Sequence, residues 1–351
     1  MASYDAVADL RLTVEDWTLS RHHLDTSSGF DRVTTELALQ GPEATGRGED
    51  VTYDTVDHEA LSAPDLDLPT GEFRFAEFSA ALDDVDLFPT KEPEREVSRP
   101  YRRWGVESAA LDLALRRADE SLGSVLGRSY DPVEFVVSTR LGEPPTTDRL
   151  ESLLSVHDDL RFKLDPTTDW DEALAERVAD LAPARILDLK GHYEGTEVDA
   201  EPSPDLYRLV FETFPDAVVE DPALTEETEP IVDDHRERVS WDAPIHGLAD
   251  LDRFPFEPRW INVKPSRFGT VESLLETVDE CLDREISLYG GGQFELGAGR
   301  ETIQALASLF YPDGPNDVAP VAYNDATVGD DLPASPIDPG PEPAGLGLDL
   351  D

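Results

Sequence analysis

The sequence predicts an α/β fold, a (β/α) TIM-type barrel preceded by a smaller α+β amino-terminal domain, called the cap below. Two observations carry that expectation. From Phe135 onward, eight short apolar runs alternate with amphipathic helical segments, the rhythm a β/α barrel requires, although a doubly wound open sheet gives the same local pattern. Five charged residues then fall at successive run ends, 22 to 32 residues apart, about the length of one βα unit.

The cap is expected over residues 1–130. Between Arg11 and Thr55, β-like stretches such as RLTVEDWTL and the alternating RVTTELALQG are broken by turn residues. A charged, proline-bearing stretch, FPTKEPEREVSRPYRR, leads into WGVESAALDLALRRADESLG. There Val106, Ala109, Ala110, Leu113 and Ala114 recur at helical spacing, and Gly123 offers a stop. The barrel is expected over 131–325. Its strands are read in FVVST, LRFKL, RILDL, AVVED, RVSWD, WINVK, EISLY and VAPVAY. Its helices are read in DWDEALAERVADLA, PDLYRLVFETF, TVESLLETVDECLD and RETIQALASLF. The tail, 326–351, is rich in Pro and Gly and is expected to return to the cap, a mobile tail being the alternative.

With 77 Asp+Glu against 29 Lys+Arg, the formal net charge is -48. Such a field repels nucleic acid and anionic lipid, so neither nucleic acid nor membrane is expected as a partner. Carboxylates run through every segment beside 39% hydrophobic residues. That combination favours a folded, halophilic protein with a solvated acidic surface over a disordered acidic chain or a polyvalent-cation binder. The single Cys281 excludes an internal disulfide framework and suits a reducing compartment. MASYDAVADL lacks the basic start and apolar core of a signal peptide, and no stretch is long enough to cross a bilayer. A soluble, cytoplasmic protein is expected; a homo-oligomer is compatible with the sequence but not read from it.

In a β/α barrel the carboxyl ends of the strands share one mouth. Reading those ends in order gives Lys163, Asp188, Glu220, Asp242 and Lys264. Three carboxylates on neighbouring strands make a hard oxygen site of the kind that holds Mg²⁺. Without a cation at least one of them would take up a proton. The chain has four lysines, Lys91, Lys163, Lys190 and Lys264, and three fall at expected strand ends. Lysine suits proton transfer, because burial near cations lowers its pKa while arginine stays charged. The bland alternatives are plain: in so acidic a chain a single carboxylate is more often surface than ligand, and a lone lysine can simply cap a strand. The set in strand-end register is the signal.

The order R-x-K, D, E-D-P, D, N-x-K-P along a barrel, after a β-rich domain and the VESAALDLAL helix, resembles the enolase superfamily. More narrowly it is similar to the muconate-cycloisomerase-like branch, which includes o-succinylbenzoate synthases and dipeptide epimerases. GRGED near residue 46 is similar to the Gly-x-Gly-Glu of family caps. The resemblance implies Lys163 and Lys264 as a catalytic pair on opposite faces of the substrate, and Asp188, Glu220 and Asp242 as Mg²⁺ ligands. It sets Arg161 where the family has the first lysine of the second-strand pair, and Glu295, in GGGQFELGAGR, as the acid of the seventh-strand region. Asp188-Leu189-Lys190 departs from the usual Asp-x-Asn, adding a cation at the mouth.

What the resemblance implies is a Mg²⁺-dependent isomerase or lyase that removes the α-proton of a small-molecule carboxylate. The outcome would be racemisation or epimerisation, cycloisomerisation, or β-elimination. Acid-sugar dehydration competes, without a clear His-Asp dyad to support it, and so does a barrel that only binds. YGGGQFELGAGRETIQ lacks the spacing of a dinucleotide loop and is read as a helix start that greets a substrate carboxylate or tightens a turn. His22 and His23 suit a surface pair or a cap loop; His192, Tyr193 and His246 are mouth residues without an assigned role.

Overall fold

The computed structural model describes residues 2–193, 200–340 and 343–348. After helix α1 (Ser3–Ala8), strand β1 (Arg11–Val14) leads into a three-stranded antiparallel sheet of β2 (Asp16–Asp25), β3 (Asp31–Gln40) and β4 (Thr45–Asp50). Val33, Leu37 and Leu39 of the central strand recur with the period of a strand and are buried. Helix α2 (Thr55–Glu59), strand β5 (Gly71–Arg74, antiparallel to β1) and helix α3 (Phe75–Ala81) complete the first part of the cap.

Helix α4 (Ser98–Ala118) is the central helix of the molecule, covered by β4 on one side and by barrel helices on another. It begins earlier than the apolar spacing suggests and runs through Pro100, which the first turn tolerates because its N–H groups have no intrahelical acceptor. It also ends earlier than expected. Asp119, at φ 57°, closes it in the left-handed conformation, and Gly123 lies inside the short α5 (Leu122–Leu126).

Two glycines let this helix lie on the hairpin. A Cβ on Gly48 would stand 2.1 Å from the Gly105 carbonyl oxygen, and one on Gly46 would stand 2.2 Å from that of Ala109. Strand and helix therefore meet backbone to backbone, which accounts for the Gly-x-Gly spacing. Charged groups on α4 are matched. Arg102 meets Asp50 at 2.7 Å, and Glu107 accepts from Ser79 at 2.6 Å and from the Val271 N–H at 3.0 Å.

The barrel is a seven-stranded parallel sheet in sequential order. Its strands are β6 (Val136–Thr139), β7 (Arg161–Leu164), β8 (Ala184–Asp188), β9 (Val218–Glu220), β10 (Val239–Trp241), β11 (Trp260–Val263) and β12 (Ser287–Gly290). Between and after them lie α6 (Asp148–Leu154), α7 (Glu172–Leu181), α8 (Pro204–Thr213), α9 (Glu229–Asp233), α10 (Pro265–Phe268), α11 (Val271–Asp283) and α12 (Ala298–Phe310). Asp171, Ser203 and Thr270 cap α7, α8 and α11 by accepting from backbone N–H groups three residues on.

The expected eighth strand, VAPVAY, is not a strand. Pro320 removes a ladder donor, and Val321–Asn324 form a 3₁₀ turn. The ring is closed instead by two residues upstream: Val136 N–H donates to the Asn316 carbonyl at 2.8 Å, and Asp317 N–H donates to that of Gly290 at 2.8 Å. The Asn316 side chain accepts from the Gly290 N–H at 2.7 Å and donates to the Glu134 carbonyl at 3.0 Å.

Beyond the barrel, Ile337 pairs with Val133 and Gly345 with Ser121, and Leu346 N–H donates to Asp112 at 2.8 Å. The tail thus lies against α4 and α5. Among the described residues no helix is long and apolar enough to cross a membrane.

Gly48→Ala forces its methyl group into the α4 backbone and is expected to lower folding stability by about 2 kcal/mol or more, read as a drop in thermal midpoint. An unchanged midpoint would show that the helix can lift off the strand at no cost.

Candidate active site

Strand alternation sets up the site. In β7, Phe162 and Leu164 are fully buried while Lys163, between them, points to the other side and reaches the acidic group. Asp188 and Glu220 are register partners on β8 and β9, and Asp242 follows β10. One oxygen from each of the three lies within 4.8 Å of the others, and all three side chains are buried. Lys264 follows β11 and places Nζ 2.9 Å from Asp242 Oδ2.

Three carboxylates so placed repel, and the chain answers with fixed cations and donors. Lys163 bonds Glu220 and lies 3.2 Å from Asp188 and 3.8 Å from Asp317. Lys190 bonds Asp188. Arg267 meets Asp242 Oδ1 at 2.6 Å, and the Tyr193 hydroxyl donates to Asp242 Oδ2 at 2.9 Å. Glu220 also accepts from the Tyr289 hydroxyl and from Asn262 at 3.2 Å.

Burial opposes the charge on Asp188, but Lys190 and Lys163 outweigh it and hold that carboxyl far below the ordinary range. Asp242 is likewise held low against burial by Arg267 and Lys264. Glu220 goes the other way. Burial, with Asp188 and Asp242 beside it, overcomes the pull of Lys163 and pushes it well above the usual range.

Lys163 corrects an expectation. Burial does act to lower it, but Glu220, Asp188 and Asp317 prevail and raise it well above the ordinary value. The neighbouring carboxylates, and not neighbouring cations, dominate its environment.

Asp221, at φ 50°, anchors the strand ends. Its oxygens accept from the N–H groups of Asp242 and Ala243, each at 2.8 Å. Burial, with Asp242 and Asp188 nearby, lifts its pKa to about 7. The donor set fits a divalent metal: hard oxygens in one buried place, whose mutual repulsion a shared cation relieves.

Two expected site residues lie outside the acidic group itself. Arg161 starts β7 at the end away from the mouth, half-exposed, and bonds Glu134. Glu295 is buried past the glycine turn after β12; it accepts from the Gln293 N–H at 2.8 Å and stands 3.8 Å from Arg300, with burial raising its pKa. Glu295 lines the seam with the cap. The start of α12 is occupied by the chain itself: Glu49 accepts from the N–H groups of Leu296, Gly297 and Gly299 at 2.7, 3.0 and 2.8 Å. A substrate carboxylate is therefore not what this helix start meets.

The cap is sewn to the same turn. The buried Arg32 guanidinium donates to the carbonyls of Val51, Thr52 and Gln293 at 2.6, 2.6 and 2.8 Å. Tyr53 donates to the Gln293 side chain at 2.7 Å. His22 and His23 belong to β2, beside Glu36 and Asp31. His192 packs edge-on against Trp241 at 5.4 Å, and His246 follows β10.

Sequence reasoning gave no role to Arg267 or Tyr289, nor to Asp221 and Asn262, which stand in the E-D-P and N-x-K-P stretches. Arg267 had a signal, since one turn of helix after Pro265 returns the third residue past Lys264 to the lysine's side. Tyr289 had strand parity alone.

Residues 5–125 match the model described as Domain of unknown function (DUF8230) N-terminal domain, and residues 129–325 match Domain of unknown function (DUF8230) C-terminal domain. The chain belongs to the DUF8230 family. This DUF8230 chain is similar to the o-succinylbenzoate synthase of Bacillus subtilis (strain 168), with 26% identity over 228 residues that make up 61% of the chain. It spans 58% of that relative's length.

Among solved structures, the DUF8230 chain is similar to a member of the enolase superfamily from Listeria innocua Clip11262, at TM-score 0.66 and 18% identity over 96% of this chain and 94% of the other. It is also similar to the dipeptide epimerase from Enterococcus faecalis V583, at TM-score 0.67 and 15% identity over 96% and 99%. The fold is that of the enolase superfamily, a modified barrel with its cap, and the likeness to the muconate-cycloisomerase-like branch read from the sequence holds.

The support of Glu220 is open to test. Tyr289→Phe removes a hydroxyl from the carboxylate; if the three carboxylates hold a divalent metal, calorimetric titration is expected to show its affinity weakened by about tenfold. Unchanged affinity would remove Tyr289 from the ligand's support.

Proposed function

We propose that the chain is a Mg²⁺-dependent enzyme that removes the proton next to the carboxylate of a small molecule. The observation that carries the reading is the placement of Lys163 and Lys264 on either side of the acidic group, with three strands between their own. Asp188, Glu220 and Asp242 would hold the ion, one oxygen each. When bound, a divalent ion supplies positive charge against the substrate carboxylate as the α-carbon loses its proton.

The remaining work falls to side chains of the chain itself. A substrate seated over the three carboxylates would have one Nζ toward each face. For racemisation or epimerisation the lysine that is a neutral amine takes the α-proton and becomes the ammonium, while the ammonium of the other gives a proton to the opposite face and becomes the amine. Where the reaction is cycloisomerisation or β-elimination, one lysine is the base and the second an acid or a fixed cation. Drawing the carboxylates to a divalent ion loosens their hold on the Lys163 ammonium, the condition for its acting as a base. Arg267 and Tyr193 fix Asp242; Asn262 and Tyr289 fix Glu220.

The net charge of -48 supports a salt-rich cytoplasm as the working environment and argues against nucleic acid and anionic membrane as partners. The non-catalytic reading draws on the lysine contacts to Asp188, and it requires that the purified protein hold no stoichiometric Mg²⁺.

The test is α-proton exchange by NMR in D₂O with high KCl and Mg²⁺, across dipeptides, N-acyl amino acids and cyclic carboxylic acids. Wild type is expected to exchange a member of the panel. Lys163→Ala and Lys264→Ala are each expected to lose about 10²- to 10⁴-fold while still binding Mg²⁺. Full exchange by either variant removes that lysine from the mechanism.

A further inference from the structure

Lys190, the last residue of Asp188-Leu189-Lys190, has an unusual setting in the structure. Its backbone takes φ 54°, a left-handed conformation rare outside Gly, Asn and Asp. The effect is to fold Lys190 back on the residue two before it. Its own N–H donates to Asp188 Oδ1 at 3.0 Å, while its ammonium bonds Asp188 Oδ2. The Lys163 ammonium lies 3.2 Å from the same Oδ2, so two like charges crowd one oxygen.

A second seat lies next to the first. Asp165, one residue past β7, has its Oδ2 bonded by Arg140 Nε at 3.1 Å. Its Oδ1 is buried and, among the described residues, has no hydrogen-bond partner; it stands 3.6 Å from the Lys190 ammonium. A closure of less than about 1 Å would complete a charge-assisted hydrogen bond there. The Tyr193 ring, its centroid 5.3 Å from the ammonium, flanks both positions.

We infer that Lys190 is a tethered counter-ion with two seats: it neutralises Asp188 while no divalent ion is held, and it moves to Asp165 when an ion takes Asp188. The inference rests on the reading that Asp188, Glu220 and Asp242 hold Mg²⁺. Its consequence is that Mg²⁺ competes with a cation of the chain itself, so that the acidic group is never without a counter-charge and the affinity for the ion is set lower than three carboxylates alone would give. A lysine that merely braced the site would act in the opposite sense, and its loss would weaken the ion's hold.

Calorimetric titration of the full chain with Mg²⁺ in high KCl separates these. Lys190→Met is expected to bind Mg²⁺ at least about fivefold more tightly, and to widen the gap between the thermal midpoints of Mg²⁺-free and Mg²⁺-loaded protein by lowering the first. Asp165→Asn, which removes the charge of the second seat, is expected to weaken Mg²⁺ severalfold in the wild-type background and to have no effect beside Lys190→Met. Unchanged or weaker binding by Lys190→Met overturns the inference, as does an Asp165→Asn effect equal in both backgrounds. If Lys190→Met does not fold, Asp165→Asn decides alone: unchanged or tighter binding overturns the inference. A wild type that binds no Mg²⁺ overturns the metal reading and this inference with it, whereas a wild type that binds while the variants behave alike overturns this inference only.

Discussion

The structure depends on bringing three buried carboxylates together at the strand ends and supplying the counter-charge that makes this bearable. Removing one ionised carboxylate from water costs several kcal/mol even after relaxation, and Asp188, Glu220 and Asp242 are all without exposure. The barrel meets that cost with fixed geometry. Lys163, Lys264 and Arg267 come from β7, the end of β11 and the one-turn helix behind it, and the backbone N–H groups after β10 hold Asp221. What remains uncompensated falls on Glu220, whose pKa burial and its acidic neighbours push upward. A cation shared by the three carboxylates would relieve the same repulsion.

The cap is held to this site by the same economy of buried polar groups. Glu49, next to the end of β4, satisfies three N–H groups at the start of α12, donors that a helix start otherwise leaves without partners. Arg32 satisfies carbonyls on both cap and barrel. The cap is therefore fixed to the turn after β12, directly beside the strand ends, by backbone groups that would be costly to expose.

The barrel was legible because its strands and functional groups obey one rhythm. An apolar run closes on a charged residue, a helix follows, and the pattern recurs at the length of a βα unit, which is how Lys163, Asp188, Glu220, Asp242 and Lys264 could be gathered from distant positions. The eighth run misled because apolar composition is shared by strands and by packed irregular chain; Pro320 was the overlooked sign, and the closing residue, Asn316, works through its amide. Arg161 and Glu295 were placed by motif alone. Arg161 starts its strand and bonds Glu134, and Glu295 lies past the glycine turn after β12, at the seam with the cap. Asn262 stood in the N-x-K-P stretch without a role, and Tyr289 could not be singled out, because an inward hydroxyl is informative only once the carboxylate opposite it is known.

The most direct test of the central claim is a crystal structure of the protein grown with Mn²⁺ in place of Mg²⁺, with anomalous diffraction to locate the ion. The account predicts one strong peak bonded at once to oxygens of Asp188, Glu220 and Asp242. A saturating Mn²⁺ concentration that leaves no peak there, with the lysine ammonium groups still on the carboxylates, would contradict it.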